Sequence, residues 1–301
     1  MPVDVDRFRG CLLGLAVGDA VGTTVEFQRR GSFSPLTDMV GGGPFGLKPG
    51  QWTDDTSMAL CLATSLIAKS GFDPSDQMDR YVDWYKTGYL SSTGHCFDIG
   101  NTVRQALEEY QRTGNPFSGP TDPYSAGNGS LMRLAPVPLF YFPDLEQIIH
   151  FAGESSRTTH GTFECVEACQ LFAEMLFRAL SGIEKDHVLF NTTVKISSPA
   201  LAAIASGGYR QKSMDQIKGT GYVVESLEAA LWCFYQTDTF ESAILNAANL
   251  GDDADTTAAI CGQIAGIFYG ESGIPTKWLE RLFMCTEITD FAESLSQPKH
   301  L

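Results

Sequence analysis

Two stretches, GDDADTT at residues 251–257 and TDDT at residues 53–56, carry the most information about the fold of this chain. Each is followed at once by an apolar run with helical spacing, so both predict the first turn of a helix. Asp and Thr are common at such positions because their side chains accept hydrogen bonds from free backbone N–H groups. One or two side chains suffice for capping, whereas these two stretches together carry five carboxylates.

Five carboxylates would repel one another if the two helix starts met in the folded protein. Divalent cations remove that repulsion, and sites with only oxygen ligands suit hard ions such as Mg²⁺ and Mn²⁺. The alternative is that each stretch simply caps its own helix. We favour the first interpretation, which predicts a carboxylate metal site.

Helical spacing of apolar residues recurs along the chain, while strand-like alternation is scarce. Stretches rich in Gly, Pro, Asn and Ser predict surface loops at residues 32–50, 114–129 and 206–221. None of these loops is long or polar enough to be disordered, and one fold would be needed to bring together the acidic stretches from opposite ends of the chain. We therefore expect an all-α fold in which residues 1–301 form a single multi-helix domain.

The overall composition narrows the class of protein. A formal net charge of −15 disfavours nucleic-acid backbones and anionic membranes as main partners. The N-terminus lacks the features of a signal peptide, and no uncharged run approaches the ~18–20 apolar residues of a membrane span. The chain has eight scattered cysteines, none in a Cys-x-x-Cys pair, and most of them are expected to be reduced core thiols. A cytoplasmic protein fits these observations.

Three further segments could carry chemistry. Glu26 follows an apolar, glycine-spaced stretch, so it is either a buried ligand or acid/base group, or a helix-end residue that reaches solvent. Gly-Asn turns at residues 97–102 and 125–133 precede helical patterns and could present backbone N–H groups to a phosphate, or could be plain turns. His160 could bind a phosphate or cap a helix.

The chain resembles the ADP-ribosylglycohydrolase family, and within it the bacterial dinitrogenase reductase-activating glycohydrolases, in an ordered set of short motifs. They are GDAVG (residues 18–22) with Glu26, TDDT (53–56), DIGNT (98–102), AGNG (126–129), TH (159–160), GYV (221–223) and DADT (253–256). The resemblance spans nearly the whole chain. It implies an orthogonally packed all-α fold around two divalent cations, Mg²⁺ or Mn²⁺.

The resemblance also implies roles for individual residues. The implied metal ligands are Thr53, Asp54, Asp55, Asp253, Asp255 and Thr256. Glu26 and Asp55 are the candidates for the catalytic acid/base, and the sequence does not choose between them. The implied substrate-binding residues are Gly127, Asn128, Gly129, Ser130 and His160 at the phosphates, Gly100 and Asn101 at the ribose next to the scissile bond, and Tyr222 at the adenosine end.

One residue departs from the family pattern, which has paired glycines at the start of the second acidic stretch. Asp252 stands at the second of these positions. It either adds a charge beside the metals or caps a helix while pointing to solvent, and we favour the cap.

By resemblance, the expected function is hydrolysis of the bond between ADP-ribose and a modified arginine on a protein, with release of ADP-ribose. The expected partners are accordingly ADP-ribose and a mono-ADP-ribosylated protein, and a monomer is favoured. One alternative keeps the site but changes the linkage to serine, a nucleobase or a small metabolite. Another is a protein that binds ADP-ribose without cleaving it, and the complete set of acidic residues argues against this.

Overall fold

The computed structural model describes residues 4–190 and 192–297. Isolated β-bridges occur among these residues, but no β-sheet does, which confirms the all-α prediction. Short 3₁₀ turns supplement the helices. The helices are α1 (Val5–Gly22), α2 (Asp54–Lys69), α3 (Pro74–Thr87), α4 (Asn101–Thr113), α5 (Pro136–Tyr141), α6 (Leu145–Arg157), α7 (Phe163–Leu180), α8 (Lys185–Leu189), α9 (Pro199–Ala205), α10 (Val223–Tyr235), α11 (Phe240–Ala248), α12 (Ala254–Tyr269), α13 (Thr276–Leu279) and α14 (Cys285–Ser296).

The pair α1 and α12 forms the centre of the fold. Glycines recur at every fourth residue of α1, at positions 10, 14, 18 and 22, and this face lies directly against α12. A Cβ atom at Gly14 would lie only 2.3 Å from the carbonyl oxygen of Gly262, and one at Gly22 would lie 2.4 Å from that of Ala254. Only glycine permits backbones to approach so closely. The antiparallel contact therefore brings the end of α1 to the start of α12.

Helix α1 is buried on nearly all sides, from Cys11 to Gly22. By length and composition alone the segment Val5–Val25 could cross a membrane, but 89% of its apolar window is buried inside the protein. A helix that is apolar all round is expected at the centre of a large core. Its hydropathy is explained by the helices packed around it.

The sequence predictions for the acidic stretches are confirmed, because Asp54 begins α2 and Asp253 is the N-cap of α12. All eight cysteines are free, and six of them are buried.

One prediction needs correction. Residues 125–133 do not lead directly into a helix, since the N–H groups of Leu131 and Met132 both bond to the carbonyl oxygen of Asn128 and close a turn. Helix α5 begins only at Pro136, a residue that can start a helix but not continue one.

Candidate metal centre and substrate cavity

A cavity of about 720 Å³ opens where the end of α1 meets the starts of α2, α4 and α12. Its volume is typical of a small-molecule site. Carboxylates from four separate segments line it, together with glycine turns. The acidic lining residues are Glu26, Asp54, Asp55, Asp98, Asp252, Asp253 and Asp255.

The centre of this acidic wall fits a metal ion. Glu26, Asp98 and Asp255 each offer a carboxylate oxygen, and the three oxygens lie within 4.8 Å of one another. In addition, Asp55 Oδ2 and Asp255 Oδ1 are buried without a hydrogen-bond partner. A buried carboxylate oxygen without a partner is unfavourable, and divalent cations would satisfy it. The donor set consists of oxygen, as hard cations require.

The pKa values of the acidic wall report the same crowding. Burial, followed by the charges of neighbouring carboxylates, raises the pKa of Glu26 to about 9 and that of Asp98 to about 7. Burial and neighbouring charge also raise the pKa values of Asp54, Asp55 and Asp255 well above the ordinary range. Without cations, these groups compete for protons at neutral pH.

Asp98 was not among the site residues predicted from the sequence, where it was only part of a Gly-Asn turn that could bind a phosphate or be a plain turn. It adopts a left-handed conformation with φ 59° that turns the chain immediately before α4. The sequence did contain a pattern that could have identified Asp98, because here, as in the other acidic stretches, an Asp lies close to the start of a predicted helix.

Threonines link the acidic helix starts to one another. Thr256 Oγ1 on α12 donates to Asp55 Oδ1 on α2 at 3.3 Å and lines the cavity. Thr53 Oγ1 donates to Asp255 Oδ2 at 3.3 Å and to Asp19 Oδ1 at 3.0 Å, but Thr53 itself does not line the cavity. These contacts hold the first turns of α2 and α12 next to each other at the site.

The glycine turn at residues 127–129 also lines the cavity. Asn128 Nδ2 donates to Asp253 Oδ2 at 2.7 Å, which ties this turn to the acidic wall. The ring of His160 packs against Gly129 so closely that an added Cβ would lie 2.7 Å from Cε1. Burial lowers the pKa of His160 to about 3, so its imidazole is neutral. Ser130 lies outside the lining, and its hydroxyl accepts from Ser156 at 2.9 Å.

A buried cation lies behind the glycine turn. Arg133 is 1% exposed and donates to the Gly129 carbonyl oxygen at 2.9 Å and to Thr159 Oγ1 at 2.7 Å. Its guanidinium lies 4.7 Å from the ring centre of Tyr81. No carboxylate among residues 4–190 and 192–297 forms an ion pair with it. The positive charge is therefore free to act on an anion at the turn, a feature that sequence analysis did not identify.

The start of α4 supplies further donors. Gly100 is its N-cap and has no side chain to satisfy the free N–H groups, and residues 100–103 line the cavity, Asn101 among them. Tyr222 does not line the cavity but follows Gly221, which does. The ring of Tyr222 is 38% exposed, and its hydroxyl donates to Glu164 at 2.7 Å.

The interpretation of Asp252 as a helix cap is wrong. Asp253, the following residue, occupies the N-cap of α12. Asp252 instead has a left-handed backbone with φ 57°, and it is one of the residues that line the cavity. The backbone pairing of residues 27–28 with Asp252 holds it there, at 2.7 Å in both directions.

The chain is similar to known proteins over nearly its full length. It is 47% identical to an ADP-ribosylarginine hydrolase, Tri1, of Pseudomonas putida (strain GB-1), covering 97% of this chain and 78% of that one. It is 34% identical to the ADP-ribosyl-[dinitrogen reductase] glycohydrolase of Rhodospirillum rubrum, covering 94% and 92%.

A solved structure titled "ADP-ribosylglycohydrolase-related protein complex" superposes with a TM-score of 0.86 at 42% identity, covering 98% of this chain and 99% of that one. The family model described as ADP-ribosylglycohydrolase matches residues 1–300. With its all-α fold, its carboxylate-lined cavity and this extent of similarity, the chain belongs to the ADP-ribosylglycohydrolase family.

Proposed function

We propose that this protein is a metal-dependent hydrolase that cleaves ADP-ribose from arginine side chains of modified proteins. The observation that carries the proposal is the combination, in one cavity, of unpartnered buried carboxylate oxygens with a turn backed by an unpaired buried arginine. ADP-ribose requires both features, because it joins a polyhydroxylated sugar to a pyrophosphate. The two relatives named above act on such substrates by their names.

The acidic wall is the proposed metal centre. Asp54, Asp55, Asp253, Asp255 and Thr256 would hold two divalent cations, Mg²⁺ or Mn²⁺, and Thr53 would supply a further oxygen. Asp98 joins this set because its oxygen lies with those of Glu26 and Asp255. Bound ions would polarise a water molecule and orient the ribose hydroxyls.

The rest of the cavity is the proposed binding site for ADP-ribose. Gly127, Asn128 and Gly129 would present the turn to the pyrophosphate, with Arg133 behind them and neutral His160 alongside. Gly100 and Asn101 would contact the ribose next to the scissile bond through the start of α4. Ser130, which does not line the cavity, would support the turn through the hydrogen bond that its hydroxyl accepts from Ser156. Tyr222 would pack at the adenosine end.

In the proposed reaction, a water oxygen bonds to the anomeric carbon while the bond from that carbon to the arginine nitrogen breaks. The proton released by water ends on the departing guanidine, so charge balances. Developing positive charge on the sugar is stabilised by the surrounding carboxylates. Glu26 and Asp55 are the two candidates for the carboxyl that moves the proton, since both line the cavity with raised pKa values.

The deciding experiment measures ADP-ribose released from an arginine-ADP-ribosylated protein, with Mg²⁺ or Mn²⁺ and with EDTA. We expect release that depends on the cation and is lost in Asp253→Ala. Asp186→Asn, a change at an exposed residue of α8, is the matched control and should keep full activity. Bound ADP-ribose without any release would contradict the proposal and favour binding alone.

The same assay on serine-linked, nucleobase-linked and small-metabolite ADP-ribose tests the choice of linkage. Glu26→Gln and Asp55→Asn, each assayed at matched metal occupancy, identify the proton-transfer residue. A cytoplasmic location and a monomeric state complete the proposal, and light scattering in solution tests the latter.

A further inference from the structure

Two residues at the cavity wall, Phe27 and Asp252, take no part in the proposed reaction. Both have left-handed backbones, with φ 62° and 57°, a conformation that non-glycine residues rarely adopt. The Phe27 N–H donates to the Asp252 carbonyl oxygen at 2.7 Å, and the Asp252 N–H donates to the Gln28 carbonyl oxygen at the same distance. This pairing fixes the two residues beside each other and offsets the strain.

Phe27 is held in place although it is exposed. Phe27 is 68% exposed and is one of the residues that line the cavity. Its ring makes an edge contact with Phe45 at 6.4 Å between centroids, and Phe45 in turn contacts Phe97 at 5.1 Å. The exposed ring of Phe27 thus rests against one other ring, which is itself packed on a third, and it offers an aromatic face on which a planar group can stack.

Asp252 supplies negative charge at the same place. Asp252 lines the cavity, and its carboxylate forms no hydrogen bond or ion pair with any residue in the described part of the chain. Asp252 is the residue directly before Asp253, a proposed metal ligand, and Phe27 is the residue directly after Glu26, a candidate acid/base. The pair therefore lies next to the reacting groups, on the backbone segments that position them.

We propose that Phe27 and Asp252 form the subsite for the guanidinium of the modified arginine, an inference that rests on the proposed function. An arginine keeps its planar positive charge when one of its nitrogens carries ADP-ribose. Such a group stacks on an aromatic face and donates hydrogen bonds to a carboxylate. The subsite thus selects substrates in which the group attached to ADP-ribose is cationic. The rest of the cavity binds the ADP-ribose part, which is the same in every linkage.

The test compares two substrates that differ only in the leaving group: ADP-ribosylarginine, which is cationic, and ADP-ribose linked to a neutral nitrophenol. In Phe27→Leu and in Asp252→Asn, we expect kcat/KM for ADP-ribosylarginine to fall about 10-fold. Hydrolysis of the nitrophenol substrate and inhibition by free ADP-ribose should change less than about 2-fold. Phe27→Tyr, which restores the aromatic face, should recover most of the loss.

Phe283→Leu, at an exposed aromatic residue outside the cavity, is the matched control and should affect neither substrate. Equal losses on both substrates, or no loss on ADP-ribosylarginine, would overturn the guanidinium subsite alone. A wild-type enzyme that cleaves the nitrophenol substrate but not ADP-ribosylarginine would instead contradict the proposed function, and the subsite with it.

Discussion

The carboxylate of Asp19, on α1, caps the N-terminus of α2 through Thr56. Asp19 Oδ2 accepts hydrogen bonds from the Thr56 backbone N–H at 3.1 Å and from its hydroxyl at 2.6 Å. The other carboxylate oxygen accepts from the N–H of Thr53 at 2.9 Å and from its hydroxyl. A helix is normally capped by the residue directly before its first turn, whereas here the accepting carboxylate comes from Asp19, 34 residues before Thr53 in the sequence. Asp54 and Asp55 are thereby positioned by a residue that does not line the cavity.

Replacing Asp19 should therefore weaken metal binding from outside the metal centre. In Asp19→Asn, an amide NH₂ replaces one accepting oxygen, so at least one donor of α2 loses its partner. We expect the free energy of unfolding to fall by about 1–3 kcal/mol. We also expect the affinity for Mn²⁺ to fall about 10-fold or more, because the α2 carboxylates lose their orientation. Denaturant titration and calorimetry measure the two effects.

The matched control for this variant is Asp73→Asn. Asp73 caps α3 by accepting from the N–H groups of Ser75 and Asp76, and it does not line the cavity. The Asp73→Asn variant should lower the free energy of unfolding because it loses the same kind of capping hydrogen bond, but it should leave the Mn²⁺ affinity unchanged. Equal effects of the two variants on Mn²⁺ affinity would show that Asp19 acts only on global stability.

The glycine face of α1 makes a prediction about stability. Gly14→Ala places a methyl group 2.3 Å from the Gly262 carbonyl oxygen, so the two helices must separate. We expect a loss of about 3 kcal/mol or more in the free energy of unfolding, since backbone cannot yield as a side chain does. Gly71→Ala is the control, because nothing lies within 4 Å of its added Cβ. A loss in Gly14→Ala no larger than in the control would contradict the close contact.

Arg133 makes a prediction about ligand binding. In Arg133→Met the positive charge behind the glycine turn is removed, so the affinity for ADP-ribose should fall about 10-fold. The affinity for adenosine, which has no phosphate, should stay the same. Arg133→Lys keeps the charge and should retain more of the affinity for ADP-ribose. Isothermal calorimetry measures both ligands, and an equal loss for adenosine would mean that Arg133 only supports the shape of the turn.

The sequence predicted the helices well where an apolar pattern repeats. The acidic stretches were identified as helix starts because Asp and Thr have a local preference for those positions. That preference does not tell which side chains converge. Asp98 joins Glu26 and Asp255 only because α1, α12 and the turn before α4 meet in three dimensions.

Other features depended on packing that no local pattern specifies. The four-residue glycine spacing of α1 could have predicted a close helix contact, but not that its partner would be α12, near the other end of the sequence. The burial of Arg133 is equally non-local, since its partners include Tyr81 and Thr159. That residues 1–301 form one domain stays a prediction.

The crowded carboxylates should make stability depend on pH in a manner that divalent cations reverse. Burial and neighbouring charge raise the pKa of Glu26 to about 9 and that of Asp98 to about 7. The metal-free folded protein therefore retains protons that the unfolded chain releases above about pH 4, and the associated stability is lost as the pH rises through these values.

In EDTA, the unfolding temperature should fall between about pH 5 and pH 8. Mn²⁺ should raise the unfolding temperature most at the upper end of this range, where fewer protons compete for the carboxylates. Asp98→Asn should flatten the profile in EDTA, and scanning fluorimetry across this range would contradict the metal centre if the profiles with EDTA and with Mn²⁺ coincided.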